Sequence, residues 1–320
     1  MAEIDTLRDA LARISEISRE AISGQGDSYS GPEAEVEAVC TPKALPLHLQ
    51  ERAARTATQV NPMNAPMFGF VPDDEAFREL VSDPLRIAVL TSKYWGPSRR
   101  RLTVSFVEST PSELRNRIIS HLNAWQCGIQ FVHTSGTGQV RISRETDGYW
   151  SYLGTDILHI ATNRPTMSLQ RFSMSTPERE FKRVIRHEGG HTLGFPHEHM
   201  RRELVARIEP EKAYAYFLRT QGWSQTMVDQ QVLTPLDERS IMATPADQTS
   251  IMCYQLPAEI TRDGRPIVGG SDINGTDRTF ARRIYPPAPS FDERRERADE
   301  QVEEQFNEDA GYSYEPVFAG

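Results

Sequence analysis

An α+β fold is predicted for this chain of 320 residues, and three observations predict it. Short runs rich in β-branched residues recur at 85–90, 102–107, 129–133 and 140–143, which is the length and composition of strands. Apolar residues at helical spacing fall between and after them, first in 111–125 and again at Phe181, Val184 and Ile185. The second helical pattern runs directly into His187-Glu188-Gly189-Gly190-His191-Thr192-Leu193-Gly194-Phe195-Pro196-His197, a concentration of side chains able to hold a metal.

The elements follow in order. Residues 4–17 place Ile4, Leu7, Leu11, Ile14 and Ile17 on one side of a helix, with Glu3, Arg8, Asp9, Arg13 and Glu16 interleaved. Charges this dense exclude the uninterrupted apolar core of a Sec-type secretory signal. The chain is therefore expected to be cytoplasmic as made, or exported by a non-classical route. Ser23-Gly24-Gln25-Gly26-Asp27-Ser28 reads as a flexible linker. A second helix is expected over 47–60, broken at Asn61-Pro62-Met63-Asn64-Ala65-Pro66, because proline disfavours helix at the residue before it. Residues 1–84 thus form a helical N-terminal region.

The main domain is placed at 85–287. Its strands are those given above, with 156–160 as a candidate edge strand. Pro111 opens a helix whose apolar face is Leu114, Ile118, Ile119, Leu122 and Trp125. The helix carrying the histidines is expected to begin near Ser175-Thr176-Pro177, a hydroxyl cap followed by an early proline. A closing helix over 277–284 is stopped by Pro286-Pro287.

Residues 288–320 hold ten acidic and three basic side chains, so this tail accounts for most of the net charge of −9. An acidic segment of this kind reads as a solvated, weakly ordered tail. No basic face points to nucleic acid, and no stretch approaches the ~18 apolar residues of a membrane span. The chain has three cysteines, Cys40, Cys127 and Cys253. A sparse, odd count argues against a disulfide framework.

The spacing around His187 carries the chemistry. His187 and His191 lie one helical turn apart, so both rings leave the same face and can bind one ion. Glu188 is placed to reach a metal-bound water. Gly194 can end the helix in a left-handed turn, after which the chain folds back to deliver His197. Three histidines leave the fourth zinc position open, the mark of a catalytic rather than a structural site. HExxH alone is a loose pattern that ordinary helices match by chance. HExxHxxGxxH fixes five positions, and all five are present.

This extended motif is that of the metzincin metallopeptidases, and Gly194-Phe195-Pro196-His197-Glu198 with Arg201 resembles the astacin-type variant. Downstream, Ser250-Ile251-Met252-Cys253-Tyr254 is similar to the astacin methionine turn, Ser-Ile-Met-x-Tyr. Trp150-Ser151-Tyr152-Leu153-Gly154-Thr155 and Gly222-Trp223-Ser224 are less specific echoes of bacterial relatives. Two departures stand out. Arg201-Arg202-Glu203-Leu204-Val205 keeps only the first position of the Arg-x-Asp-Arg-Asp run that many astacins carry, and where secreted astacins are tied by disulfides this chain has only Cys40, Cys127 and Cys253.

The resemblance covers roughly 85–287 and implies a metzincin-like zinc-protease fold. In that fold a twisted mixed sheet with the active-site helix lies above the cleft. A smaller, mostly helical or irregular C-terminal subdomain lies below. It implies one catalytic Zn2+ held by His187, His191 and His197, with Glu188 as general base. It implies that Met252 packs beneath the zinc histidines, and that Tyr254 ligates zinc at rest and swings to hydrogen-bond the tetrahedral intermediate. On residue type alone Tyr254 is equally a partly buried aromatic beside the turn. The glutamate matching Glu198 meets a newly made N-terminus in processed astacins. No processing site is legible here, so Glu198 is also read as a partner of Arg201 or of a zinc histidine. His199 reads as a surface histidine or one supporting the ligands from behind.

The function these readings favour is a zinc-dependent endopeptidase acting on a peptide or protein substrate, which would pair with an exposed edge strand at 156–160. Two alternatives stand beside it: a zinc-retaining, non-proteolytic binding module, and a narrow-specificity self-processing or toxin-like protease. The intact Glu188 counts against the first. A device for latency is sought in residues 1–84, where Cys40 or the carboxylates of Asp73 and Asp74 are able to occupy the open zinc position. The plainer reading of that region is packing or partner binding.

Overall fold

The computed structural model describes residues 40–66, 91–236 and 245–289. By internal contacts the chain divides into Met1–Glu37 and Ala38–Gly320, and every described residue falls in the second unit. The expected helix at 4–17, the linker at 23–28, the strand at 85–90, Asp73, Asp74 and the acidic tail beyond residue 289 lie outside the described residues. Among the described residues no helix is long and apolar enough to cross a membrane.

Helix α1, Leu47–Val60, buries only small side chains, Ala53, Ala54 and Ala57. That narrow apolar face lets its backbone lie close across the turn at Gly154–His159. It ends at Asn61, whose extended backbone (φ −149°, ψ 107°) meets the demand of Pro62. The Asn64 side chain then ties this N-terminal segment to the main domain. Its amide donates to the carbonyls of Ala57 (2.9 Å) and Tyr94 (2.8 Å), and its oxygen accepts from Ser92 Oγ (2.9 Å) and the Tyr94 N–H (3.0 Å).

Strand β1 (Arg100–Phe106), helix α2 (Ser112–Leu122) and strand β2 (Ile129–His133) form a parallel crossover unit. Leu114, Ile118 and Leu122 of α2 are buried, as the apolar stripe predicts. Strands β3 (Val140–Ser143), β4 (Tyr149–Ser151) and β5 (Met167–Leu169) complete a five-stranded sheet in the order β2-β1-β3-β5-β4. Only β4 runs antiparallel to its neighbour, so it forms a mixed edge.

The edge strand expected at 156–160 is not one. Gly154–His159 is a 3₁₀ segment, and the sheet edge is β4. The cause is a close approach of two backbones. Gly154 takes φ +45°, and a Cβ there would lie 1.9 Å from the Lys93 carbonyl oxygen. The next N–H, of Thr155, donates to that same carbonyl at 3.0 Å. The chain leaves the sheet plane to make this contact.

Arg141 fixes the loop that follows. It is 6% exposed, and its guanidinium donates to the carbonyls of Gly138, Gln139, Ile160, Ala161 and Arg164. A buried cation is thus satisfied by oriented backbone dipoles.

Helix α3 begins where expected, at Glu178–Glu180, passes a wide π turn at Phe181–Ile185 and continues over Arg186–Thr192. The expected hydroxyl cap is absent: Pro177 occupies the cap position without a side-chain bond, and Thr176 Oγ1 instead accepts the Ser173 N–H. Below lie α4 (Pro210–Gln221) and shorter helical turns, with a second core of Leu204, Ile208, Phe217, Val228, Val232, Leu256, Ile260 and Ile267. Helix α5 (Gly275–Ile284) closes the domain, opened by a reciprocal Asn274–Asp277 capping box and followed by Pro286-Pro287. The turn at 250–254 joins the two cores: Ile251 and Met252 belong to the upper, Cys253 and Tyr254 to the lower.

Candidate metal centre

Three ring nitrogens converge at the end of α3. His187 Nε2 and His191 Nε2 each lie 3.1 Å from His197 Nε2. Their outward nitrogens face carbonyls, His187 Nδ1 that of Ile251 (2.6 Å) and His191 Nδ1 that of Phe195 (2.8 Å). A carbonyl only accepts, so both Nδ1 atoms carry the proton and both Nε2 lone pairs point inward. Lone pairs this close repel unless a cation lies between them. Tetrahedral zinc with Zn–N of ~2.0–2.1 Å sets its ligand nitrogens ~3.3 Å apart, close to the spacing seen.

Burial adds to the case. Desolvation lowers His187 to about 4 and holds His191 and His197 well below the usual imidazole range. All three are therefore neutral at pH 7, the form a metal requires.

The chain brings each histidine here by a local device. Gly194 (φ +97°) ends α3, its N–H on the His191 carbonyl (2.8 Å), and Phe195 N–H returns to Gly190 (3.0 Å). Gly190 lets the helix rest on the methionine turn. A Cβ there would lie 2.4 Å from Met252 Sδ and 2.8 Å from Trp125 Cζ2, an overpacking cost on the order of 1–3 kcal/mol. Met252 is buried beneath the motif, and its carbonyl accepts the Glu198 N–H at 2.8 Å, which anchors the returning chain just after His197.

A fourth donor completes the cluster. Cys40 Sγ and the three imidazole nitrogens all lie within 4.8 Å of one another, and all four residues are buried. Sequence spacing gave no hint of this geometry beyond the presence of a cysteine upstream. Of the two latency candidates, Cys40 stands within the donor cluster, while Asp73 and Asp74 lie outside the described residues. Cys127 and Cys253 are free thiols away from the cluster.

Residues 40–43 reach the cluster along the sheet edge. Thr41 N–H donates to the Tyr149 carbonyl (3.1 Å) and Lys43 N–H to that of Ser151 (3.3 Å), and Lys43 bridges Tyr152 in parallel orientation. The carbonyls of β4 that face outward are therefore taken by the chain's own N-terminal segment. The aromatic β-prone run Tyr149-Trp150-Ser151-Tyr152 was the sequence signal for this edge.

Glu188 is 1% exposed, and neither carboxylate oxygen has a hydrogen-bond partner among the described residues. Burial pushes its carboxyl up to about 8, opposed by Cys40 and Arg183. The Cys40 thiol, raised by burial and then by Glu188, faces it without meeting hydrogen-bond geometry. A thiol beside three neutral imidazoles offers one sulfur and three nitrogen donors. The donor set thus fits a divalent ion of borderline softness.

Tyr254 lies at the same place. Its hydroxyl donates to the Cys40 carbonyl, and its ring centroid is 4.3 Å from that of His197. His199, read from the sequence as a surface or supporting histidine, is fully buried. It stacks on Tyr254 at 3.9 Å, accepts the Tyr254 N–H at Nδ1 (3.4 Å) and donates from Nε2 to the Gln231 carbonyl (2.8 Å). Glu198 accepts the Asp247 N–H (3.0 Å) and pairs with Arg201 (3.5 Å), so the reading of Glu198 as a partner of Arg201 matches the geometry.

No family model and no curated protein sequence matches the chain. Solved structures do. One structure of myroilysin matches at 30% identity with a TM-score of 0.58, covering 62% of this chain and 97% of that one. A second matches at 30% identity and TM-score 0.47, covering 61% and 86%. High choriolytic enzyme 1, a hatching-enzyme zinc-protease from the medaka fish Oryzias latipes, matches at 19% identity and TM-score 0.39, covering 58% and 90%. The first match takes in nearly the whole of its partner, and this chain carries the zinc-site motif and the methionine turn in order. This chain belongs to the astacin-like metzincin family of zinc metallopeptidases.

Proposed function

We propose that this protein is a zinc endopeptidase made in a latent form. One zinc ion would be held by His187, His191 and His197, and in the latent form also by the Cys40 sulfur. The observation that carries this reading is the four-donor cluster with an unpartnered, buried Glu188 beside it. When bound, the zinc supplies Lewis-acid polarisation of the scissile carbonyl and an acidified water. Glu188 takes the proton of the attacking water and returns it to the leaving amine. Its carboxyl has no hydrogen-bond partner among the described residues, which leaves both oxygens available to that water. Cys40 fills the position the water needs and so holds the enzyme off.

A closed set of four protein ligands is also the signature of a structural zinc site, which would favour the non-proteolytic reading. Glu188 favours the peptidase reading. Leaving two carboxylate oxygens unpaired in a buried site costs free energy that a purely structural site has no reason to carry.

Purified protein is expected to carry near-stoichiometric zinc. With Cys40 replaced, it should cleave a mixed peptide pool, lose cleavage on chelation and regain it with added zinc. Cleavage indifferent to chelation would overturn the assignment.

Tyr254 is assigned to the tetrahedral intermediate. In the latent form its hydroxyl is spent on the Cys40 carbonyl, so departure of Cys40 frees the donor as it opens the metal. Tyr254→Phe, measured in the Cys40→Ala background, should lower kcat by roughly 10- to 100-fold with zinc content unchanged, the scale of one lost oxyanion donor. Equal kcat would remove the role.

A further inference from the structure

The N-terminal segment that covers the sheet edge also marks a place where a substrate side chain would sit. This inference rests on the peptidase reading above. Backbone hydrogen bonds at Thr41 and Lys43 use the outward carbonyls of Tyr149 and Ser151, the groups any extended peptide added to this edge would use. Side chains alternate along β4, so Trp150 lies on the face opposite Tyr149 and Ser151. Ser151 Oγ meets Thr192 Oγ1 of α3 at 3.0 Å, which places Trp150 on the face turned away from that helix. There the Lys43 ammonium stands over the Trp150 ring, 5.3 Å from its centroid. The ring is held in place before anything arrives. Its Nε1–H donates to the Asp147 carbonyl (3.0 Å), and Tyr152 meets it edge-on at 5.9 Å. Lys43 is three residues from Cys40, which stands within the donor cluster.

We infer that Trp150 is a specificity-determining residue, its ring face forming a subsite for a lysine or arginine side chain of the substrate on the edge-strand side of the scissile bond. Lys43 occupies that subsite in the latent chain. The indole face attracts a cation through its quadrupole, and the flat ring also accepts the aliphatic stem beneath the charge. A neutral isostere keeps the second contribution and loses the first, which makes the two separable.

The test uses the full chain carrying Cys40→Ala, loaded with zinc, and a peptide series with one fixed cleavage site. Each position on either side of that site is occupied in turn by lysine, norleucine or glutamate. Lysine should exceed norleucine in kcat/KM by about 2- to 5-fold at a single position, the scale of one cation–π contact, with glutamate least. Trp150→Leu should abolish the lysine-to-norleucine ratio at that position, and Trp150→Phe should keep part of it. Cleavage with the ratio unaltered by Trp150→Leu overturns the subsite alone. No cleavage of any peptide overturns the peptidase reading instead.

A second measurement needs no turnover. In zinc-free protein with Cys40 intact, Lys43→Met and Trp150→Leu should each speed thiol labelling of Cys40, followed by peptide mapping. The double variant should label no faster than Trp150→Leu alone. Fully additive effects mean that Lys43 and Trp150 act independently, and overturn the contact.

Discussion

Replacing Glu188 with alanine is expected to abolish peptide cleavage and leave the metal in place. The three imidazoles keep their partners in that variant, since His187 and His191 are oriented by the carbonyls of Ile251 and Phe195 and not by Glu188. Zinc content should therefore match the parent. Loss of a general base positioned at the reacting water typically costs ~10²- to 10⁴-fold in rate. The substitution also removes a buried, unpartnered carboxylate, so thermal stability should hold or rise. Zinc stoichiometry, melting temperature and kcat/KM, all in the Cys40→Ala background, check the three parts together. Retained cleavage would contradict the base assignment, and lost zinc would mean that Glu188 supports the metal.

Replacing Cys40 with alanine should have the opposite effect on the full chain. The thiol stands with the three histidines in one four-donor cluster, and its departure opens the position that water needs. A minor open state of such an equilibrium is populated at ~0.1–10%, and measured activity scales with that fraction. Cys40→Ala is then expected to raise cleavage of a small peptide at least about tenfold. The remaining ties, at Lys43, along α1 and at Asn64, stay in place, so the gain should be larger for short peptides than for folded proteins. Equal rates for parent and variant would show that Cys40 does not govern access.

The zinc-site motif was legible because its geometry is local. One helical turn separates His187 from His191, and the turn at Gly194 returns His197 within a few residues, so spacing alone carries the arrangement. The strands at 129–133 and 140–143 were legible for the same reason, being short β-branched runs whose pattern needs no distant partner. Cys40 was legible only as one of two candidates for the open position, beside the carboxylates of Asp73 and Asp74. Its position depends on pairing with β4, more than a hundred residues further along the chain, and no periodicity encodes a pairing of that range. The misplaced edge strand has a similar origin. Residues 156–160 carry Ile157, Leu158 and Ile160, but the contact of Gly154 with the Lys93 carbonyl overrides local preference. Of the two readings of His199, surface or supporting, burial leaves the second, and the sequence did not separate them because its partners, Tyr254 and Gln231, come from two separate downstream segments.

Because the segment bearing Cys40 belongs to the same chain as the site it covers, its local concentration is set by that covalent connection and not by the solution. A partner within the same chain is presented at an effective concentration that dilution does not change. In the latent form proposed above, dilution would not restore activity, and a single molecule would be as silent as a crowded solution. Once the chain is severed between the two parts, the same contacts become a bimolecular equilibrium. Silence would then fade on dilution and return on concentration, so a covalent event converts a permanent state into one that reads the amount of protein present.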